Sequence, residues 1–261
     1  MQPEIRNVVI TRYVTPLREG GSLPAIAEAD DGFLYVLKFR GAGQGLKALI
    51  AELIGGEIAR VAGLKLPEIV FAELDEAFGR IEADEEIQDL LKFSTGLNLG
   101  MHYLSSAVTY DPAVSKVEAL LASRVVWLDA FLMNVDRTAR NTNMLIWNKE
   151  LWLIDHGASL YFHHNWEHWK EQSVRPFAQI KDHVLLPQAS MLQEADQAMK
   201  GLLNRQVIDN IVALIPDNWI EAIFEESAQT VRNIYSEFLG IRLEHSEIFV
   251  NQALHARASL I

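Results

Sequence analysis

The sequence contains no cysteine, which excludes disulfide bonds and metal sites built from thiolates. It also contains no apolar run close to the roughly 18 residues that a transmembrane helix requires. The opening residues, MQPEIRNVVITRYV, lack the apolar segment of a signal peptide. We therefore expect a cytoplasmic protein that does not contact a membrane.

Positive charge is scarce, since 23 lysines and arginines stand against 35 aspartates and glutamates, which gives a formal net charge of −12. A chain this acidic is not expected to bind nucleic acid through its overall field. With 261 residues, of which 49% are hydrophobic, the chain is long enough to bury a sizeable core. The composition therefore predicts a folded globular protein with one large domain or two lobes.

Residues 1–104 predict a small β-rich unit built around one helix. Strands are predicted at 5–14, 33–39, 66–74 and 97–104 from their apolar, β-branched and aromatic content. Apolar residues at helical spacing cover 46–62, and Gly63 is suited to end that helix. The acidic stretch 75–92 is interpreted as surface that includes a helix.

Residues 105–261 predict a mainly helical unit. Apolar spacing indicates helices at 115–134, 188–214 and 217–240, the last opening with Asp217 as its N-cap. Between the first two, residues 143–154 predict a β-hairpin that turns at Asn148-Lys149.

Asp136, Asn141 and Asp155 form the most informative pattern in the chain. Asn141 follows Asp136 after a short loop, and Asp155 follows the second strand of the predicted hairpin. A phosphoryl-transfer site needs one carboxylate near the hydroxyl that is phosphorylated, and a second carboxylate with an amide oxygen to hold magnesium. The spacing therefore predicts a kinase site in which Asp136 is catalytic and Asn141 and Asp155 bind the metal.

This pattern lies near the junction of a β-rich half and a helical half, as in two-lobed kinases. We therefore predict an α+β, protein-kinase-like fold. Its small β-rich N-lobe with one helix covers 1–104, and its larger, mainly helical C-lobe covers 105–261. A nucleotide would bind in the cleft between the lobes.

Lys38 ends the apolar strand LYVLK, a pattern typical of the kinase lysine that pairs with the α- and β-phosphates of ATP. The alternative interpretation is a surface lysine at the end of a strand. One hairpin earlier, Gly20, Gly21 and Ser22 are predicted to cover the phosphates, because glycines allow close backbone approach.

A lysine in this role needs a carboxylate from the helix that follows, and the sequence offers two. Glu57 lies among the large apolar residues of the helix, where a carboxylate is buried only with a partner. Glu52 lies on a stripe of small residues with Ala48, Gly55 and Ala59, which lets the helix approach its neighbour closely. The pattern alone leaves both glutamates open.

The chain resembles the HipA-like kinases over most of residues 12–160, in the segments GGSLP, LYVLKF, AELIGGEIARVAGLKLPEI, VDRTARNTNML and LWLIDHG. The resemblance implies a kinase that uses ATP and Mg²⁺ and acts on a protein serine or threonine. It favours Glu52 as the partner of Lys38. It makes Ser22 the counterpart of a loop serine that these kinases can autophosphorylate.

The resemblance also implies an adenine-binding hinge at 100–104, with backbone groups of Met101, His102 and Tyr103 facing the base. One departure is Thr138, which stands where the family usually has a histidine. Two competing functions remain open: a phosphotransferase for small molecules on the same fold, and a pseudokinase that binds nucleotide without turnover.

Arg137, directly after the predicted catalytic aspartate, is interpreted as a contact for phosphate or for a neighbouring acid. Asn143 is interpreted as a support of this loop or as a neighbour of the metal.

Overall fold

A computed structural model describes residues 4–17, 23–43, 45–78 and 84–260. The predicted phosphate loop of Gly20, Gly21 and Ser22 lies outside the described residues. The strands are β1 (Asn7–Pro16), β2 (Ala25–Ala29), β3 (Leu34–Lys38), β4 (Ile69–Leu74), β5 (Gly96–His102), β6 (Val108–Thr109), β7 (Met144–Trp147) and β8 (Glu150–Leu153). The helices of the described residues are α1 (Gly45–Val61), α2 (Glu85–Phe93), α3 (Ala119–Leu132), α4 (Trp169–Ser173), α5 (Leu192–Leu202), α6 (Arg205–Val212), α7 (Asp217–Glu221), α8 (Ala228–Glu244) and α9 (Ser246–Ala258). Short 3-10 helices lie at Tyr161–His164, Trp166–His168, Ala178–Asp182 and Leu186–Gln188.

The first five strands close into a barrel in the order β1-β2-β3-β5-β4. Strand β1 pairs with β4 in parallel and closes the barrel, while the other neighbours are antiparallel. Side chains alternate along β3, so that Tyr35 and Leu37 fill the interior and Lys38 points to the outside. The barrel therefore presents Lys38 on its outer surface, at the end of a strand.

Helix α1 packs into the core of the helical region and not into the barrel interior. Leu53 and Ile54 of α1 share one apolar cluster with the helices, and so do Phe71 and Leu99 from the outer face of the barrel. The indole of Trp219 on α7 meets the Phe71 ring at 5.7 Å between centroids. The hydrophobic core is therefore continuous across the predicted boundary at residue 104.

Two of the predicted elements are confirmed closely. Helix α1 ends where expected, and Gly63 beyond it has a φ of +70°, the left-handed conformation that favours glycine. Strands β7 and β8 form the predicted hairpin, with φ values of +50° at Asn148 and +66° at Lys149. Positive φ at both central residues is the geometry of a two-residue turn that matches the twist of the strands.

The prediction of two long helices after residue 188 is wrong, because capping residues inside each stretch start new helices. The Asn204 side chain accepts the N–H of Val207 and begins α6, which separates it from α5. Ser227 accepts the N–H of Thr230 and begins α8. Asp217 is the first residue of the short α7 and not its N-cap, since that position belongs to the preceding proline.

The helix expected in the acidic stretch 75–92 is confirmed as α2. The described part of residues 1–104 therefore holds two helices, and the prediction of an N-lobe with one helix is too low by one. Asp84 caps α2 by accepting the backbone N–H groups of Glu86 and Ile87. Across the described residues, none of the helices combines the length and apolar character that crossing a bilayer requires.

Candidate active site

Lys38 connects two carboxylates that come from different parts of the fold. Its Nζ lies 2.6 Å from Glu52 Oε2 and 2.7 Å from Asp155 Oδ1. Lys38 is in strand β3, Glu52 is in helix α1, and Asp155 lies two positions after the end of β8. Burial alone would lower the pKa of Lys38, but the two carboxylates outweigh it and raise the pKa above its ordinary value. The lysine is therefore held as a cation.

Glu52 is fully buried, and its partners stabilise its ionised form. Its Oε2 accepts from Lys38 and also from the backbone N–H of His156, at 2.8 Å. Burial would raise the pKa of Glu52, but the charge of Lys38 and the His156 hydrogen bond lower it to about 2. Glu52 therefore joins α1 both to Lys38 and to the segment Asp155-His156-Gly157.

The stripe of small residues on α1 explains how the helix comes this close. A Cβ added at Gly55 would lie 2.8 Å from the Cβ of His156, a distance that real Cβ contacts essentially never show. Ala48, on the same stripe, lies beside Gly157, since a Cβ added at Gly157 would be 3.6 Å from the Ala48 carbonyl oxygen, an ordinary van der Waals contact. The small residues therefore let α1 lie directly against the segment that carries Asp155.

Glu57, the other candidate, lies away from Lys38. Its carboxylate accepts from the Arg60 guanidinium one turn later, at 2.5 Å for the closest pair, and only 2% of Glu57 is exposed. Burial with a partner is what its apolar surroundings predicted. The structure therefore places Glu52 against Lys38 and gives Glu57 a separate ion pair.

Asp155 has a backbone conformation that is uncommon among residues other than glycine. Its φ is +57°, in the left-handed region. Backbone strain of this kind is concentrated at functional sites, where the surrounding structure holds it in place. The side chain is 43% exposed, so that the carboxylate is open to solvent while one oxygen contacts Lys38.

Asp136 and Asn141, at the two ends of the predicted catalytic loop, contact each other directly. The Asp136 Oδ2 atom accepts from Asn141 Nδ2 at 2.7 Å and from Asn143 Nδ2 at 3.2 Å. These bonds orient the Asp136 carboxylate and leave the Asn141 amide oxygen for another partner. Asn143 therefore supports the loop, which was one of its two sequence interpretations.

Arg137 lies in the interior and contacts an acid, the second of its two sequence interpretations. Its Nε donates to Asp129 Oδ2 at 2.6 Å, and both side chains are fully buried. Its Nη1 donates to the carbonyl of Asn143 and, at 3.2 Å, to that of Ile154. Arg137 therefore links the catalytic loop to the residue that precedes Asp155.

Asp129, which supports the predicted catalytic loop through hydrogen bonds, was not predicted from the sequence. It also accepts from Asn134 Nδ2 at 2.9 Å and from His183 Nε2 at 2.9 Å. Burial would raise the pKa of Asp129, but the Arg137 guanidinium and the His183 hydrogen bond lower it below its ordinary range. Its one sequence signal was a lone carboxylate within the apolar run VVWLDAFL of α3, where a charge requires partners.

The donor set of Asn141 and Asp155 suits magnesium. One carboxylate and one amide oxygen, both exposed, are hard oxygen ligands, and magnesium usually takes only one or two protein ligands besides water and phosphate. Within the described residues, no group of three or more His, Cys, Asp or Glu could hold a metal alone. The residues therefore fit a metal that arrives with a phosphate ligand.

The comparison with known families assigns the chain. The family model described as "HipA-like kinase" matches residues 10–245. The chain belongs to the HipA-like kinase family. No curated protein matches the chain.

Two solved kinase structures resemble this HipA-like kinase. The Helicobacter pylori proinflammatory kinase CtkA aligns with a TM-score of 0.55 at 13% identity, over 99% of this chain and 100% of that chain. The Golgi casein kinase with Mn/ADP bound aligns with a TM-score of 0.46 at 13% identity, over 98% of this chain and 74% of that chain. The first likeness shows that the α+β fold is kinase-like.

Two backbone N–H groups in the hinge predicted for this HipA-like kinase already have partners. The N–H of His102 donates to the carbonyl of Glu68 and that of Tyr103 to the carbonyl of Leu34, both at 2.8 Å. Met101 lies in β5 with strand partners on both sides. The N–H groups of His102 and Tyr103 are therefore engaged within the barrel, and the role of this segment as an adenine-binding hinge stays a prediction.

Two cavities border the hinge and the ion-pair cluster of the HipA-like kinase. A cavity of about 30 Å³ lies at Lys38, Asp155 and Gly157, and room for a phosphate there needs some movement. A groove of about 790 Å³ is lined by His102 and Leu104 of the predicted hinge, by Phe33, by Trp147 and Trp152 of the β7–β8 hairpin, and by the last turns of α1. Lys38 and Asp155 line the smaller cavity, whereas none of the predicted catalytic residues lines the larger groove.

Proposed function

We propose that this chain is a two-lobed kinase that transfers the γ-phosphoryl group of ATP, with Mg²⁺, to a serine or threonine hydroxyl of a protein. The observation that carries the proposal is the contact of Lys38 with both Glu52 and Asp155 at 2.6 and 2.7 Å. A phosphate-binding lysine, its orienting glutamate and a metal-binding aspartate stand in this relation in kinases.

Lys38 binds the α- and β-phosphates in this proposal. The ammonium stays charged because Glu52 is buried, ionised and fixed by His156, so the lysine keeps a partner when its contact with Asp155 is exchanged for phosphate. Asn141 and Asp155 would hold the metal, which would supply positive charge against the phosphate oxygens. Hinge residues near Tyr103 border the adenine.

Asp136 directs the acceptor. The acceptor oxygen forms a bond to the γ-phosphorus, the bond from that phosphorus to the bridging oxygen of ADP breaks, and the hydroxyl proton passes to the Asp136 carboxylate. The amides of Asn141 and Asn143 orient that carboxylate. The resemblance to HipA-like kinases supports a protein hydroxyl as the acceptor, and the cytoplasmic location stays a prediction from sequence.

The test is transfer from γ-labelled ATP with Mg²⁺ to the chain itself and to a panel of protein substrates, with phosphosites identified by mass spectrometry. Asp136→Ala is expected to lose at least about 10²-fold in rate, because general-base catalysis contributes this much. Asp89→Ala, at an exposed position of α2, serves as the matched control. Absence of transfer and of nucleotide binding in folded wild-type protein would refute the proposal.

A further inference from the structure

A buried hydrogen-bond network lies beneath the catalytic loop and extends to a segment far along the chain. At its centre the Asp129 carboxylate accepts three N–H donors, with Asn134 on Oδ1 and with Arg137 and His183 on Oδ2. His183 follows Asp129 by 54 positions and is 6% exposed. The proposed chemistry uses neither residue directly.

The hydrogen bonds of His183 fix the position of its ring proton. Nδ1 accepts the backbone N–H of Leu185 at 3.0 Å, so that this nitrogen carries no proton. Nε2 must then carry it and donate to Asp129 at 2.9 Å. His183 is therefore a directed donor that bonds to its own backbone on one side and to the network on the other.

The network reaches the backbone of the catalytic residue through one intermediate side chain. Asn134 donates to Asp129 with its Nδ2 and accepts the N–H of Asp136 with its Oδ1, at 3.1 Å. The position of the Asp129 carboxylate therefore sets the position of the Asp136 backbone. A donor that fixes Asp129 also fixes Asp136.

The segment of His183 also contacts the loop directly. His183 forms a β-bridge with Thr138, and the N–H of Val184 donates to the carbonyl of Arg137 at 3.1 Å. His183 thus holds the catalytic loop through Asp129 on one side, while its own backbone segment pairs with the loop on the other. The Thr138 side chain accepts the N–H of Asn141 and so contributes a hydrogen bond to the turn of the loop.

We propose that His183 is a positioning residue for phosphoryl transfer, which acts by holding Asp129 and, through Asn134, the backbone of Asp136. The proposal rests on the proposed function. Misplacement of reacting groups by about 1 Å costs on the order of 10²-fold in rate, so loss of the His183 donor should reduce kcat more than it affects nucleotide binding.

Two amide variants separate the two hydrogen bonds of the ring. In His183→Gln the amide nitrogen lies where Nε2 lies and can still donate to Asp129. In His183→Asn the side chain is one methylene shorter, so it can serve the Leu185 N–H but does not reach Asp129. His255→Gln, at an exposed position of α9, is the matched control.

The measurements are kcat and the KM for ATP with Mg²⁺, each normalised to the folded fraction from a melting curve at the assay temperature. We expect His183→Asn to lose tenfold or more in kcat with a KM within twofold of wild type. His183→Gln should lie within about threefold of wild type in both constants.

Each outcome separates the two proposals. Equal losses in the Asn and Gln variants, or no loss in either, would overturn the positioning role while leaving the kinase assignment intact. A rise in KM as large as the fall in kcat would also overturn it. An inactive wild type would refute the proposed function, and the positioning role with it.

Discussion

The two halves of the candidate site are held together in different ways. Lys38, Glu52 and Asp155 form a charged cluster whose members come from three separate elements, and the Asp155 side chain is 43% exposed. The loop that carries Asp136 instead rests on Asp129, which is fully buried with three N–H donors. The first half opens to solvent at Asp155, whereas the Asp129 carboxylate and its Arg137 partner are enclosed completely.

The difference assigns each half a mechanical role. The Asp155 carboxylate is 43% exposed and can exchange its lysine contact for another cation, because solvent reaches it and Lys38 keeps Glu52 as a partner. A buried carboxylate that loses a donor leaves an unsatisfied charge in the interior, which is far more costly. We therefore expect the cluster at Lys38 to rearrange when phosphate binds and the loop at Asp136 to stay fixed.

Continuous packing supports a fixed α1. The helix belongs to the same apolar core as the helical region, and the Trp219 indole of α7 also donates to the carbonyl of Leu97 in β5, at 3.1 Å. Because the apolar core fixes the position of α1, Glu52 can keep its contact with Lys38 while Asp155 changes partner.

The largest expected effect comes from Asp155→Asn, which removes the exchangeable carboxylate. We expect phosphoryl transfer to fall by about 10³-fold or more, because a charged group at the transferring phosphate is replaced by a neutral one. The melting temperature should change little, since Lys38 keeps Glu52. The measurement is initial rate with labelled ATP and Mg²⁺ beside a melting curve, and near-normal turnover would contradict the assignment of Asp155 to the metal.

A smaller effect is expected from the paired variants Glu52→Gln and Glu57→Gln. Glu52→Gln keeps an oxygen for the His156 N–H but removes the charge that orients Lys38, so transfer should fall by about 10²-fold. Glu57→Gln weakens only the contact with Arg60, which is half exposed, and should cost about 1 kcal/mol in unfolding free energy or less without loss of rate.

Rate assays and urea unfolding on both glutamine variants provide the measurement. Equal rate losses in the two would show that α1 acts as a rigid whole and that the Glu52 contact has no special part. A rate loss confined to Glu57→Gln would reverse the assignment.

Local patterns of sequence predicted the parts of the site that lie within one element or turn. The stripe of small residues on α1 indicated the face that packs closely against a neighbour, although not that this neighbour is the segment of Asp155. The Asn148-Lys149 turn indicated the hairpin that precedes Asp155. Glu52 and Glu57 could not be separated by periodicity alone, because both are buried and only their distant partners differ.

The parts that sequence missed depend on pairing between distant segments. His183 reaches Asp129 across 54 positions, and no local pattern signals that contact. The hydrogen bonds of the His102 and Tyr103 N–H groups also arise from pairing within the barrel, which no local pattern signals. Asn204 and Ser227 are residue types that commonly cap the start of a helix. The apolar periodicity continues past both positions, so the sequence did not show that new helices begin there.

The smallest effect concerns stability in acid, and it compares the two anchoring carboxylates directly. The pKa of Glu52 is lowered from 4.5 to about 2, and the pKa of Asp129 is lowered too. A carboxylate with a lowered pKa in the folded state contributes stability above its unfolded pKa and loses it as the pH falls through the folded value.

We expect the unfolding free energy of the wild type to decline from about pH 4.5 towards pH 2. Urea unfolding across this range should show a shallower decline in Glu52→Gln and in Asp129→Asn, because neither amide titrates. A decline in Asp129→Asn as steep as in the wild type would mean that Asp129 is not ionised, and that the enclosed half of the site is not held by charge.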